Sequence, residues 1–280
     1  MIIALTNLSE DMLKVGALSF VNSLPFFYPF FEKKIVSGVS FQTGFPTEIN
    51  HLLATSQVDV ALISSASFVA RRTEYVLLTN FGIGATKQVG SVCLYIKRPI
   101  LELDAIAVPS MSATSVMLLR VLCDSLWKIS PCFIEYHKGA SLYELVDTYD
   151  AILMIGDDCL TTKVSPNYEV IDLCTAWYTW TKKPFVFAVF ATRYDRWVAL
   201  PEEIREFHYT LGEAYRYSSA HIEEVIAYAR QKTGISAKAL RSYYLQLEYD
   251  LHTEHFQGLE HFAQLAKRYF PDDCLLKTTS

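Results

Sequence analysis

Short runs of almost wholly apolar residues, each ending in hydroxyls, acids or glycine, constrain this chain more than any other feature. Val58-Asp59-Val60-Ala61-Leu62-Ile63 ends in Ser64-Ser65-Ala66-Ser67, and Ala151-Ile152-Leu153-Met154-Ile155 ends in Gly156-Asp157-Asp158. Phe185 to Ala191 is apolar throughout. Runs of this length without polar alternation suit strands covered on both faces. Between them, Pro46 to Ala54 and Val116 to Leu126 have apolar residues at helical spacing. Lys14–Leu18, Val39–Thr43, Tyr75–Leu78, Ser91–Ile96, Ala105–Val108, Cys132–Tyr136 and Tyr168–Leu173 are further strand candidates. Gly82-Ile83-Gly84 reads as a connection between two of them, and Ser141-Leu142-Tyr143-Glu144 has capping-box spacing before a short helix. The alternation predicts a mainly parallel α/β architecture.

Beyond Ala191 the pattern turns helical. Pro201 with Glu202 and Glu203 marks a helix start. Apolar residues then recur at helical spacing, as at Leu240, Tyr243, Tyr244 and Leu247. The break at Lys97-Arg98-Pro99 and the strong strand from Phe185 suggest two crossings between lobes. The expected division is residues 1–95 plus 192–280 as one lobe and 96–191 as an inserted lobe, with a site in the cleft between them.

Donor-rich strand ends recur at that cleft. Ser19-Phe20-Val21-Asn22-Ser23-Leu24-Pro25 follows the first strand candidate. Asn22 can donate to a carboxylate without bringing a charge of its own. Ser64 and Ser65 end another strand, Ser112-Ala113-Thr114-Ser115 precede a helix, and Ser91 leaves a glycine turn. Each has a local reading as well, since Ser, Thr and Asn favour turns and helix caps.

Composition narrows the partners. Of 280 residues 51% are hydrophobic, which suits a globular chain with a sizeable core. No stretch approaches 18 consecutive apolar residues, so no membrane span is expected, and the N-terminus lacks the basic start of a signal peptide. Six cysteines without a CxxC read as reduced thiols in a cytoplasm and give no zinc spacing. A net charge of −5 without a basic block argues against nucleic acid. An anionic small molecule would need local donors such as backbone amides and helix starts.

Taken together, several segments resemble the chorismate dehydratases of the futalosine route to menaquinone. They are Phe20 to Pro25, Asp59 to Ser65, Val89-Gly90-Ser91-Val92, Ser112 to Ser115, Ile155-Gly156-Asp157, and Asp172-Leu173 with Trp177, Thr181 and Pro184 to Ala188, in family order. Two positions depart from the pattern: Thr181-Lys182-Lys183-Pro184 stands for the usual Thr-Gly-Leu-Pro, and Phe190 for a tryptophan. The resemblance implies the two-lobed α/β fold of type 2 periplasmic solute-binding proteins, with a helical C-terminal segment and a cytoplasmic location. It implies loss of water from chorismate to give 3-[(1-carboxyvinyl)oxy]benzoate, which requires neither metal nor cofactor.

On that reading Asn22 and Ser91 are the catalytic pair. Ser64 and Ser65 hold one carboxylate, and Ser112, Ala113, Thr114 and Ser115 form the matching anion site on the other lobe. Asp157 and Asp158 read as helix-start residues, and Trp177, Trp180, Phe187 and Tyr95 as core or hinge packing. Arg193 and Lys87 are solvated cations by default. His137 is the one histidine placed to be tested as a base. No well-placed base emerges, so the enolpyruvyl carboxylate of the substrate is expected to reach its own C3 hydrogen. Two other readings stay open. One is the sister enzyme forming 1,4-dihydroxy-6-naphthoate, which carries a histidine where this chain has Ile155-Gly156-Asp157. The other is a cytosolic solute-binding or sensing module without chemistry.

Overall fold

The structure, a computed structural model, describes residues 12–36, 38–137, 145, 148–162 and 167–270. The Ser141 to Glu144 segment and Cys274 lie outside the described residues. The chain opens with β1 (Leu13–Leu18), and a short turn at Val21–Ser23 leads into α1 (Leu24–Phe31). Then come β2 (Val39–Gly44), α2 (Pro46–Ala54), β3 (Val60–Ser64), α3 (Ser65–Ala70) and β4 (Tyr75–Ala85). The second lobe holds β5 (Val92–Ile96), β6 (Ala105–Pro109), α4 (Ala113–Val121) with a π-helical continuation to Trp127, and β7 (Cys132–Tyr136). It continues with β8 (Ala151–Ile155), α5 (Gly156–Thr161), β9 (Glu169–Asp172) and α6 (Leu173–Thr181). The chain returns through β10 (Phe185–Arg193) to α7 (Tyr194–Ala199), α8 (Pro201–Ala220), α9 (Ile222–Thr233) and α10 (Ala237–Tyr244). It ends in β11 (Glu248–Asp250) and α11 (Thr253–Ala266).

Two sheets result, in the orders β11-β4-β10-β3-β1-β2 and β7-β6-β8-β5-β9. They are mixed rather than mainly parallel. β10 runs antiparallel to both β3 and β4, and β5 antiparallel to both β8 and β9. β10 returns from the second lobe and enters its sheet from the opposite end. The apolar runs sit where burial demands: β3, β5 and β8 are buried at every residue. The aromatic residues after Pro25 form α1, and Phe26 and Phe27 meet Phe190 of β10 at 5.1 and 5.9 Å between ring centroids. All three are wholly buried, and each such side chain contributes about 1.5–3 kcal/mol. Phe190 thus fills the family's tryptophan position inside an aromatic cluster.

Three expectations are corrected. Gly82-Ile83-Gly84 is not a connection but part of β4; a Cβ on Gly82 would lie 2.6 Å from the Ala188 carbonyl oxygen, so glycine there lets β4 approach β10. The expected divisions at 95/96 and 191/192 fall inside strands, since β5 belongs to the second sheet and β10 to the first. The tail is not confined to the first lobe either: Arg268 donates to Ser125 Oγ at 2.8 Å and Tyr269 to Asp124 Oδ2 at 3.1 Å.

The crossing before β10 is tightly packed. Trp177 is wholly buried against Phe185 and donates from Nε1 to the Pro184 carbonyl at 3.3 Å. Lys182 ends α6 in the left-handed region at φ +58°, where the family's glycine would sit without steric cost.

Candidate active site

A narrow cleft lies between the lobes with a cavity volume of about 60 Å³, well below the ~300–1,000 Å³ usual for small-molecule sites, so the lobes stand closed and have to part to admit a ring-sized ligand. Leu18, Ile83, Phe187 and Ile155 give it apolar walls, and Asn22, Ser64, Ser91, Ser112, Thr114 and Ser115 supply its side-chain polar groups. Among the described residues, no acid, base or histidine side chain lines it. Phe187 was expected to be core or hinge packing; it lies in β10 just after the crossing, half-buried, and faces the cleft. Trp177 is core as expected.

Asn22 sits in the turn between β1 and α1. Its Oδ1 is buried and has no hydrogen-bond partner. A buried amide oxygen left so costs about 1–3 kcal/mol, which a donor from a ligand would relieve. Ser23, next to it, is not a cleft residue: its hydroxyl donates to the Leu18 carbonyl at 2.7 Å and fixes the turn.

Ser64 caps α3, accepting from Ser67 N at 3.4 Å. Asn50 of α2 clamps it from the side. Its Nδ2 donates to Ser64 Oγ at 3.0 Å, and its Oδ1 accepts from Ser64 N at 3.0 Å. With both acceptor positions of Oγ filled, the Ser64 proton is the group left to donate into the cleft. Ser65 is off the wall. It begins the helix, where successive side chains diverge by about 100°, and it is wholly buried with its hydroxyl unpartnered. Ala113 is off the wall too and exposed.

On the second lobe Ser112 caps α4, accepting from Ser115 N at 3.4 Å and donating to Ser115 Oγ at 2.9 Å. Thr114 Oγ1 accepts from Ala66 N at 2.9 Å across the cleft. The two expected anion sites therefore touch: the Ala66 amide, a donor at the start of α3, is engaged by the opposite lobe. A second bridge runs from Val21 N to Asp157 Oδ1 at 3.3 Å. Asp157 stands in the first turn of α5, where an acid is favoured. Gly156 before it takes φ +59°, and a Cβ there would lie 2.7 Å from the Phe20 ring. Only glycine admits that closure of Phe20 onto the second lobe.

Ser91 is almost wholly buried and held on three sides. Its carbonyl accepts from Gly156 N at 2.7 Å, and its Oγ lies 2.8 Å from the Tyr243 hydroxyl. The turn before it hangs on Asp172: Oδ2 accepts from Val89 N at 3.0 Å and Gly90 N at 2.7 Å, while Oδ1 caps α6 at Thr175 N, 2.9 Å.

The charged candidates lie elsewhere. His137 is exposed at the end of β7, with Nδ1 3.2 Å from Ser110 Oγ. Arg193 pairs with Glu74 and Asp195, and Lys87 is exposed. Of the remaining histidines, His255 is buried beside Glu248, away from the cleft. Among the described residues no group of three or more His, Cys, Asp or Glu side chains could hold a metal ion, and no helix is long and apolar enough to cross a membrane.

Asn50 and Tyr243 escape a reading of the sequence, and Asp172 enters it as a motif position without a role. Asn50 and Tyr243 sit inside helical patterns, and Asp172 reads as a strand end. Only the capping geometry of Asp172, an acid just before an apolar helix, carried a signal.

Two α/β lobes with a ligand cleft between their sheets define the fold class of periplasmic binding proteins. A solved structure from Archaeoglobus fulgidus has this fold with a TM-score of 0.77 at 18% identity, covering 93% of this chain and 98% of that one. The alkanesulfonate-binding protein of Xanthomonas axonopodis pv. citri follows at 0.66 and 14%, covering 93% and 94%. Residues 13–268 match the family described as menaquinone biosynthesis, and the chain belongs to that family. It is similar to the chorismate dehydratase of Thermus thermophilus, with 29% identity over 248 residues, 81% of this chain and 88% of that one.

Proposed function

We propose that this chain is a chorismate dehydratase acting in the cytoplasm on the futalosine route to menaquinone. It would convert the dianion chorismate to 3-[(1-carboxyvinyl)oxy]benzoate and water. The observation that carries the reading is a cleft of neutral donors with an unpartnered Asn22 Oδ1 and, among the described residues, no lining side chain able to take a proton. Such a site suits a substrate that brings its own base.

The enolpyruvyl carboxylate takes the C3 proton. The C3–H electrons form the new ring double bond, the C4–O bond breaks, and the departing hydroxide recovers that proton as water. Ring aromatisation drives the step. The protein has to hold the ether side chain over C3 and stabilise charge moving from carboxylate to hydroxyl. Asn22 Oδ1 accepts from the C4 hydroxyl, and Ser91 donates to the oxygen that leaves. Ser64 on one lobe and Ser112, Thr114 and Ser115 on the other hold the carboxylates. Loss of the Thr114 bond to Ala66 N would free that amide for the same purpose. The apolar walls take the ring. Ile155-Gly156-Asp157 lacks the histidine of the sister enzyme, and no described residue lining the cleft replaces it.

Purified protein incubated with chorismate should release the aromatic product, followed by absorbance and mass. Asn22→Ala and Ser91→Ala should each lower kcat about 10²-fold with little change in KM. His137→Ala and Asp157→Asn should stay within about tenfold. A chorismate analogue lacking the enolpyruvyl carboxylate should bind without dehydrating. Binding of chorismate without turnover would instead make this a solute-binding module. Normal reaction of the analogue, or loss of turnover in a folded His137→Ala or Asp157→Asn, would put the base on the protein.

A further inference from the structure

The end of α10 lies under both candidate catalytic loops. The Tyr244 hydroxyl donates to the Val21 carbonyl at 2.9 Å, one residue before Asn22. Gln246 crowds the turn at Gly90, where a Cβ would lie 2.7 Å from its Oε1. The Tyr243 hydroxyl is 2.8 Å from Ser91 Oγ, and its residue is 2% exposed. Burial pushes that phenol well above its ordinary range.

We propose that Tyr243 is a positioning residue for the dehydration, donating its hydroxyl proton to Ser91 Oγ and so directing the Ser91 proton into the cleft. The inference rests on the dehydratase reading. Only one proton can lie between two hydroxyl oxygens, and the phenol, as the stronger acid, is the better donor. The Ser91 main chain is already fixed, through its carbonyl by Gly156 and through the preceding turn by Asp172. The remaining freedom is rotation of the hydroxyl about Cβ–Oγ, which a serine alone does not restrict. The Tyr243 donor removes that freedom. The neighbouring Tyr244, through the Val21 carbonyl, ties the turn carrying Asn22 to the same helix end. Tyr243 is off the cleft wall, so it acts through Ser91 rather than on the substrate.

The test is a double-substitution cycle on the intact chain with chorismate. Tyr243→Phe removes one oxygen and should lower kcat about tenfold with KM and Tm little changed. Ser91→Ala should lower it about 10²-fold, and the double variant should be no slower than Ser91→Ala. A residue that is only structural would instead move Tm and KM and multiply with Ser91→Ala. Should Tyr243→Phe fail to fold, 3-fluorotyrosine placed at position 243 alone keeps the hydroxyl as a stronger donor, and kcat should stay at or above the unsubstituted level; a drop would overturn the inference. Multiplicative losses, or an unchanged kcat for Tyr243→Phe, would overturn it while the unsubstituted protein still turns over. No turnover by the unsubstituted protein overturns the dehydratase reading itself, and the role of Tyr243 with it.

Discussion

Replacing Asp172 with alanine separates the support of the site from its chemistry. Asp172 accepts three main-chain hydrogen bonds: two fix Val89 and Gly90 just before Ser91, and one caps α6. A bond to a charged acceptor contributes about 1.5–3 kcal/mol, and an N-cap about 1 kcal/mol. Asp172 is half-buried, so the lower value suits each of the two turn bonds. Water can also reach part of the freed turn, which leaves a net loss of about 3 kcal/mol for Asp172→Ala. Asp172→Ser restores the cap but not the turn and should recover about 1 kcal/mol. Gly90 is held at φ +67°, and release of its N–H lets the turn carrying Ser91 shift. A displacement near 1 Å costs up to about 10²-fold in rate, so kcat should fall at least tenfold in both variants at temperatures where they are folded. Urea midpoints give the stability and product absorbance gives kcat. A loss under about 1 kcal/mol for Asp172→Ala would refute the energetic reasoning. A loss of about 3 kcal/mol with full turnover would show that the turn does not set Ser91.

Further outcomes follow from other parts of the molecule. Because no cation lines the cleft among the described residues, chorismate affinity by titration should fall less than about threefold between low and physiological salt; a steep decline would mean that Arg or Lys carries recognition. Gly258→Ala would place a Cβ 2.0 Å from the Pro184 carbonyl oxygen and should cost about 3 kcal/mol in urea unfolding, since main chain on both sides has to yield. Lys182→Gly relieves the left-handed residue before the crossing and should raise stability by about 0.5–1 kcal/mol, with a loss arguing that Lys182 makes a compensating contact. The hydrogen bond from His255 holds the Glu248 carboxyl below its ordinary range. A depressed carboxyl stabilises the fold above its unfolded value of about 4.3 and loses that contribution as pH falls through the folded one. The Tm deficit of Glu248→Gln, present at pH 6, should therefore close as the pH drops below about 4; a deficit unchanged across that range would place its origin in packing.

Strand positions were legible because apolar runs without alternation have few other uses in a folded chain. β3, β8 and β10 fall where those runs lie, and the helical tail follows from its periodicity. The caps at Ser64 and Ser112 were legible for a local reason: a helix start needs a side-chain acceptor, and the sequence around it shows which residue can serve. That local signal also blurred the site. Capping and ligand binding use the same residue types, so Ser65 and Ala113 could not be told from Ser64 and Thr114 until the helix turned them apart.

What the sequence by itself determined about this protein is the set of buried strands, the order of the donor-rich strand ends and the family they resemble. These depend on spacing along the chain, which is local information. Only the tertiary structure decided strand direction, lobe membership and the apposition of Ser91 with Tyr243, residues 152 positions apart. Direction was hidden because a strand buried on both faces reads the same whether its neighbours run parallel or antiparallel. Tyr243 was hidden because an aromatic residue on the inner stripe of a helix looks like any core residue. Its hydroxyl takes on meaning only where folding places another lobe's serine against it.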